Sequence, residues 1–328
     1  MVRHETTGQA GTEAGTVPAE FALVPLVGER IPAWLELSRD EHDALKAARA
    51  MIQVAIAIED KLWIVAENYL DYEREVVGLA LGKSVRRDFA WHTFQGEAVA
   101  IERRLSNLLS SVRGYLDHLV RQVRRCHGVE RRREVEAFAN AEYDRSLAYR
   151  VMEALRNVTQ HKARGVSGLF FEHRSQQAGS VLQVVPKLHV TELRAAKAKR
   201  RVIDELAAIG ESHDLTPFVQ AYVSGIGRIH KSTRDLLSPA VNAACDLMLS
   251  WADRGHLLWD KPGGFEVGRL RRGQDLGEPF QVFRELPVYC RSLMTQPLAL
   301  EGAGLYRVST QAVGRDRCGT PVAGAAGE

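Results

Sequence analysis

Apolar residues at helical spacing run through the first half of the chain in three long blocks, and no other feature restricts its fold so strongly. Leu45, Ala48, Ile52, Ala55, Ile56, Ile58, Leu62, Trp63 and Ala66 make the first block. Residues recurring at three- and four-residue intervals fall on one face of an α-helix, so the block predicts a helix with one buried side. Ser38-Arg39-Asp40-Glu41 opens it as a capping box, the serine and the glutamate each satisfying an orphan backbone N–H. The helix is expected to reach about Tyr69 and, after a break, Leu81. Gly82 and the stretch around Phe89-Ala90-Trp91-His92 then separate it from a second helix, roughly Glu97 to Arg125. Leu105, Leu108, Leu109, Val112, Leu116, Leu119 and Val120 form the second stripe, arginines cover the far side, and His127-Gly128 ends the helix. A charged connection, Glu130 to Glu134, leads to a third helix. There Leu147, Val151, Ala154, Leu155 and Val158 repeat at i, i+4, i+7, i+8 and i+11, with Gly165 as its stop. Three such helices predict a mainly α chain built on an antiparallel helical bundle.

The period changes after residue 165. Gly168 to Arg174 and Val181 to Val190 are rich in Val, Leu and Phe on either side of Gln176-Gln177-Ala178-Gly179-Ser180, which predicts an inserted β-hairpin. Pro186 places its second strand at an edge or a bulge. An additional helical C-terminal part follows: Thr191 to Ala208 with Gly210 as terminator, a helix from Thr216-Pro217 to about Leu237, and another from Pro239 to about Asp253. The expected organisation is a disordered tail over 1–30, a bundle over 31–165, the hairpin over 166–190, helices over 191–254, and an irregular region over 255–328, open to short strands, with a disordered end.

At 328 residues, with 45% hydrophobic and 26% charged residues, the chain can bury one large core or two modest ones. A formal charge of +3 is too small to argue for nucleic acid by itself, so that case rests on local patches: Arg121 to Arg133, and Arg194 to Arg201 with Lys197 and Lys199. Either could grip an RNA backbone. Interleaved glutamates fit a solvated helix face better. The four cysteines, Cys126, Cys245, Cys290 and Cys318, are far apart, as free and mostly buried thiols in a reducing compartment would be. Neither a secretory h-region nor an apolar run of membrane-spanning length is found, and the expected location is cytoplasmic. There is no Walker loop, no Rossmann fingerprint and no metal-ligand spacing, so no cofactor is expected.

The candidate site is Arg156-Asn157-Val158-Thr159-Gln160-His161, at the end of the third block. An arginine suits a phosphate and a histidine suits proton transfer near neutral pH. Spacing alone selects nothing, because an arginine also precedes His92, His118 and His127 by five or six residues. Requiring a small polar residue after the arginine leaves Arg156-Asn157 with His161, and Arg87-Asp88 with His92. Only the first lies in a helical block. Arg113, Asp117 and His118 on the second helix either support the site or lie on the surface, while Tyr222, Trp251 and Trp259 are most simply core or edge aromatics.

Tyr149-Arg150-Val151-Met152-Glu153-Ala154-Leu155-Arg156-Asn157-Val158-Thr159-Gln160-His161 resembles the terminal-helix motif of HEPN domains, most tightly over Tyr143 to His161. The resemblance implies an all-α bundle that dimerises so that two motif copies face one cleft. Many relatives are metal-independent endoribonucleases in toxin, phage-defence or RNA-processing systems, with a cognate antitoxin or defence protein as partner. Others are non-catalytic modules that bind RNA, a nucleotide or a protein. By this resemblance Arg156 binds the scissile phosphate, His161 moves protons and Asn157 orients His161 or the phosphate. Where some toxin members carry a modifiable tyrosine, Ala163 stands here. On a straight helix Asn157 and His161 lie about 40° apart, but Arg156 and His161 about 140°. That angle leaves a plainer alternative: a solvated Arg156, a surface Asn157 and a His161 favoured by the helix dipole.

Overall fold

Burial of the helical stripes produces seven α-helices and two small antiparallel sheets among the described residues of a computed structural model. These residues are 20–26, 34–88, 90–161, 165–176, 179–259, 263–271, 276–297 and 299–303; the side chains at 160, 161, 173–176 and 179–181 lie outside this set. In chain order the elements are β1 (Phe21–Pro25), β2 (Leu35–Leu37), α1 (Arg39–Arg86), α2 (Trp91–Arg145) and α3 (Leu147–His161). The hairpin β3 (Gly168–Gln176) and β4 (Gly179–His189) follows, then α4 (Val190–Ala195), α5 (Arg200–Ala207), β5 (Ser212–Asp214) and α6 (Leu215–Leu258). The last elements are β6 (Phe265–Leu270), β7 (Leu276–Val282), α7 (Glu285–Thr295) and a 3-10 turn at Ala299–Gly302. The fold is mainly α with a β-hairpin insertion, as the periodicity predicts.

Two compact units divide the chain. The first joins the chain up to Glu59 with Arg234–Gln296. Its four-stranded sheet, in the order β2-β1-β6-β7, corrects the expectation of a disordered tail at residues 20–26 and supplies the short strands allowed for after 255, while residues 1–19 and 304–328 lie outside the described residues. Strand β1 pairs on both sides, and Phe21, Ala22, Leu23 and Val24 are all buried. A strand covered on both faces shows no alternation of apolar and polar residues, and that is why it reads as aperiodic. Gly255 permits the helix to approach this sheet, because a Cβ there would sit 2.5 Å from the Phe265 ring. The capping box forms as expected, Ser38 N–H reaching Glu41 at 2.9 Å and Glu41 N–H reaching the Ser38 hydroxyl at 3.2 Å. Cys245 and Cys290 are buried free thiols in this unit, while Cys126, in the other unit, is half-buried and Cys318 lies outside the described residues.

The second unit, Asp60–Thr233 with the stretch after Gln296, contains the candidate site. Helix α1 runs unbroken past Tyr69, because buried Tyr69 and Tyr72 prolong its stripe. Arg104 of α2 pairs with two acids of this part of the helix, Asp71 at 3.0 Å and Glu75 at 3.5 Å. Helix α2 is bent at Gly128, whose φ of 84° is open to glycine and costly to other residues. The predicted third helix is instead the second arm of α2 plus α3, divided at Ser146, which caps α3 by accepting the Tyr149 N–H at 3.2 Å. Pro186 lies at an edge position in the sense that matters. Although β4 is central in the order β3-β4-β5, β5 pairs only with Lys187, Leu188 and His189, beyond the proline. Thr191 to Ala208 is two helices, interrupted where Lys197 adopts a left-handed φ of 55°. Helix α6 continues through Pro239, where two helices were expected, and is capped by Asp214, which accepts the Thr216 N–H at 2.8 Å. No helix among the described residues is long and apolar enough to cross a membrane.

Candidate functional site

Helix α3 packs against α2 through one face and against α4 and α5 through another. Val151, Leu155 and Val158 of the predicted stripe are fully or almost fully buried, with Met152 beside them, whereas Leu147 and Ala154 of that stripe are half-buried. Arg150, Glu153, Ala154 and Asn157, at i, i+3, i+4 and i+7, line a second face, and that face looks into a pocket of about 310 Å³. Across the pocket stands the α4–α5 turn, Ala196 to Lys199, with Tyr143 at its side.

Arg156 lines this pocket with its side chain only 15% exposed, which departs from the solvated arginine of the plainer alternative. One terminal nitrogen donates to the Asn157 amide oxygen at 2.9 Å, and its Nε lies 3.8 Å from Glu153. That Nε is buried without a hydrogen-bond acceptor. Asn157 is exposed at the pocket's rim. His161 is the last residue of α3, and its side chain lies outside the described set. The structure therefore brings Arg156 and Asn157 together and leaves the position of the histidine ring out of account. Ala163 also falls outside the described residues.

Glu153 anchors the arginine from behind. The Tyr222 hydroxyl, on α6, donates to it at 2.6 Å, and burial followed by the nearby Glu153 charge keeps this phenol protonated far into the alkaline range. Tyr222 packs on Tyr149 with ring centroids 4.9 Å apart, and Tyr149 on Tyr143 at 6.5 Å. These three rings fix α3 to its neighbours and hold the site's floor in place.

Arg150, 6% exposed, ties the elements round the pocket together. Its guanidinium donates to the Tyr143 and Asp144 carbonyls, both at 2.9 Å, and pairs with Glu205 of α5. Hydrogen bonds from Arg201 and Arg150 hold the Glu205 carboxyl below its ordinary range. Lys199 donates to the Tyr143 hydroxyl at 3.1 Å with its ammonium 5.1 Å from the ring centroid. The lining carries four cations, of which Arg150 is paired with Glu205 and Arg156 lies near Glu153, so that Lys197 and Lys199 supply most of its uncompensated charge. Such a lining suits a phosphate or another compact anion.

The segment after α3 is held by one acid. Glu102 of α2 accepts the Gly165 N–H at 2.9 Å and the Val166 N–H at 2.6 Å. Gly165 is a close-approach glycine: a Cβ there would sit 2.6 Å from the Thr159 methyl.

The basic patches divide. Arg131, Arg132 and Arg133 pair with Glu134, Glu136 and Glu130 along their own helix, so much of that stretch is a solvated, self-neutralised face. Arg113 pairs with Asp117 in the same way at 2.8 Å. Lys197 and Lys199 instead face the Arg156 pocket. Neither Arg150 nor Glu153 stood out in the sequence as a site residue, although their spacing to Asn157 on one helical face was there to find. Tyr222 is a core aromatic, as expected, with a polar task besides. No family model matches the chain, and no curated protein or solved structure matches it.

Proposed function

We propose that this chain is a metal-independent endoribonuclease of the HEPN type. The observation that carries the reading is the placement of Arg156, beside Asn157, in a pocket whose uncompensated positive charge comes mostly from Lys197 and Lys199. In the proposed reaction a ribose 2′-hydroxyl attacks the adjacent phosphorus and the 5′-oxygen leaves, giving a cyclic phosphate and a 5′-hydroxyl. Arg156 stabilises the charge that develops on the phosphoryl oxygens. His161 takes the proton from the attacking hydroxyl or gives one to the leaving oxygen, and Asn157 orients Arg156. Attack through the 2′-hydroxyl selects RNA over DNA.

Helix α3 runs from Leu147 to His161, and on a straight helix positions 156 and 161 point in different directions. The roughly 140° between them favours a site completed by a second copy of the chain, and we propose a homodimer on that ground. A toxin or phage-defence role with a cognate antitoxin or defence partner, in the cytoplasm, follows from the resemblance alone. A second reading, an RNA-binding module without catalysis, is favoured by one observation: Arg156 already bonds to its own neighbour, so the pair is saturated in part.

The deciding experiment compares wild type with Arg156→Ala and His161→Ala for RNA cleavage in EDTA and for growth inhibition. Loss of both activities in both variants, with folding intact, is the expected result. A wild type that neither cuts RNA nor slows growth ends the nuclease reading, and retained RNA binding would then support the module.

A further inference from the structure

We propose that Lys197, Lys199 and the N-terminal turn of α5 form a second phosphate subsite, which holds the phosphodiester next to the one met by Arg156. The assignment rests on the proposed nuclease reading for the identity of its ligand, and on the pocket itself for its chemistry.

Four observations converge on the α4–α5 turn. Lys197 and Lys199 line the same pocket as Arg156, within reach of an anion held there. Among the described residues Lys197 has no ion-pair partner, although Arg194, Arg200 and Arg201 around it all do. Arg150, more than nine-tenths buried, stands in the wall with its terminal nitrogens on the Tyr143 and Asp144 carbonyls and on Glu205, and its Nε lacks an acceptor. The first turn of α5 carries no acidic residue and its cap no side-chain hydrogen bond, so the positive end of that helix is left for an anion.

The backbone adds a reason why lysine stands at 197. Ala198 N–H bonds to the Leu193 carbonyl and Lys197 N–H to that of Arg194, closing α4 with a turn whose left-handed residue is Lys197. Glycine fits that position with less strain. A lysine kept there gives up stability and supplies a cation to the pocket.

The test uses the full chain and a short single-stranded RNA, fluorescein-labelled and 2′-O-methylated so that it binds without being cut. Its anisotropy is followed in EDTA over a salt series. For Lys197→Gln with Lys199→Gln we expect binding about tenfold weaker, and a plot of log affinity against log salt shallower by about 0.7, the loss of one phosphate contact. Arg131→Gln with Arg133→Gln removes the same charge from the self-paired face of α2 and should change neither value. Lys197→Gly should raise the melting temperature while weakening binding, which separates ligand contact from folding. Unchanged affinity in both Lys197 variants, or equal weakening in the α2 control, overturns the subsite. Inorganic phosphate and a 5′-mononucleotide serve as competitors. Lysine-dependent binding of these with none of the RNA also overturns it, since the ligand is then a free phosphate. Unmodified RNA, assayed separately, keeps the two readings apart. Lysine-dependent binding without cleavage retains the subsite and ends the nuclease. Cleavage and binding that both ignore the lysines do the reverse.

Discussion

The Arg156 guanidinium donates to the side chain of its own neighbour, Asn157, at 2.9 Å. Consecutive residues on a helix diverge by about 100°, so this bond forms only because the arginine folds back along the pocket wall. Glu153 waits on the other side, 3.8 Å from Nε. Asn157 therefore decides whether the guanidinium faces the pocket or turns to its carboxylate neighbour.

On the proposed nuclease reading, Asn157→Ala should lower RNA cleavage by at least about tenfold while shifting stability by no more than about 0.5 kcal/mol, the range for an exposed substitution. Turnover and melting temperature measured on the same preparation check this. Full activity in the variant would remove Asn157 from any positioning role.

Tyr222→Phe tests the support behind Glu153. The phenol donates to that carboxylate at 2.6 Å from a fully buried position. Deleting a hydrogen bond to a charged group costs about 1.5–3 kcal/mol. A urea titration should show the midpoint falling by the corresponding amount, with activity reduced as Glu153 is freed to draw Arg156 away. A variant as stable as wild type would mean that Glu153 finds another donor.

How far the site was legible follows from which interactions are local. The stripe Val151, Leu155, Val158 and the capping box at Ser38 are set by spacing along one helix, and both were readable. The burial of Arg156 depends on α4 and α5, some forty residues further along, and nothing at Arg156 announces that cover. Strand β1 escaped for a related reason: its partner β6 lies far away in sequence, and burial on both faces erases the alternation that marks a strand. Lys197 and Lys199 were visible as a basic patch. Their difference from Arg131 to Arg133 is that the latter have glutamates three or four residues off on their own helix.

Gly165→Ala should cost about 1–3 kcal/mol, the usual range for a forced close contact, because its Cβ would meet the Thr159 methyl at 2.6 Å. Thr159→Ser removes that methyl and keeps the hydroxyl that donates to the Arg156 carbonyl at 3.0 Å. The double variant should recover most of the lost stability. Chemical denaturation of the four proteins gives the coupling directly, and additive costs would show that the collision is with Glu102 instead.

Acid should weaken the fold in two stages. His118 and His127 are held below their ordinary pKa, first by burial and then by Lys61, Arg121 and Arg125 beside the former and Arg131 beside the latter. Below about pH 6.5 the unfolded chain takes up protons that these imidazoles resist, so stability falls as pH drops towards their folded values. Glu142 governs the second stage. Burial alone would raise its pKa, but Arg228 at 2.9 Å and Arg145 at 2.7 Å outweigh that and hold it below the usual carboxylate range. Its contribution is complete above the unfolded value of about 4.3 and is lost as pH falls through the folded one. Urea midpoints taken from pH 7 to 3 should therefore decline first below 6.5 and again below about 4.3. His118→Gln with His127→Gln should flatten the first decline. Glu142→Gln should shrink the second, leaving the share of Glu205, at a cost of about 1.5–3 kcal/mol at neutral pH for its charged hydrogen bonds. A midpoint that holds steady from pH 7 to 5 in wild type would show that the two histidines are already free to take up protons in the folded chain.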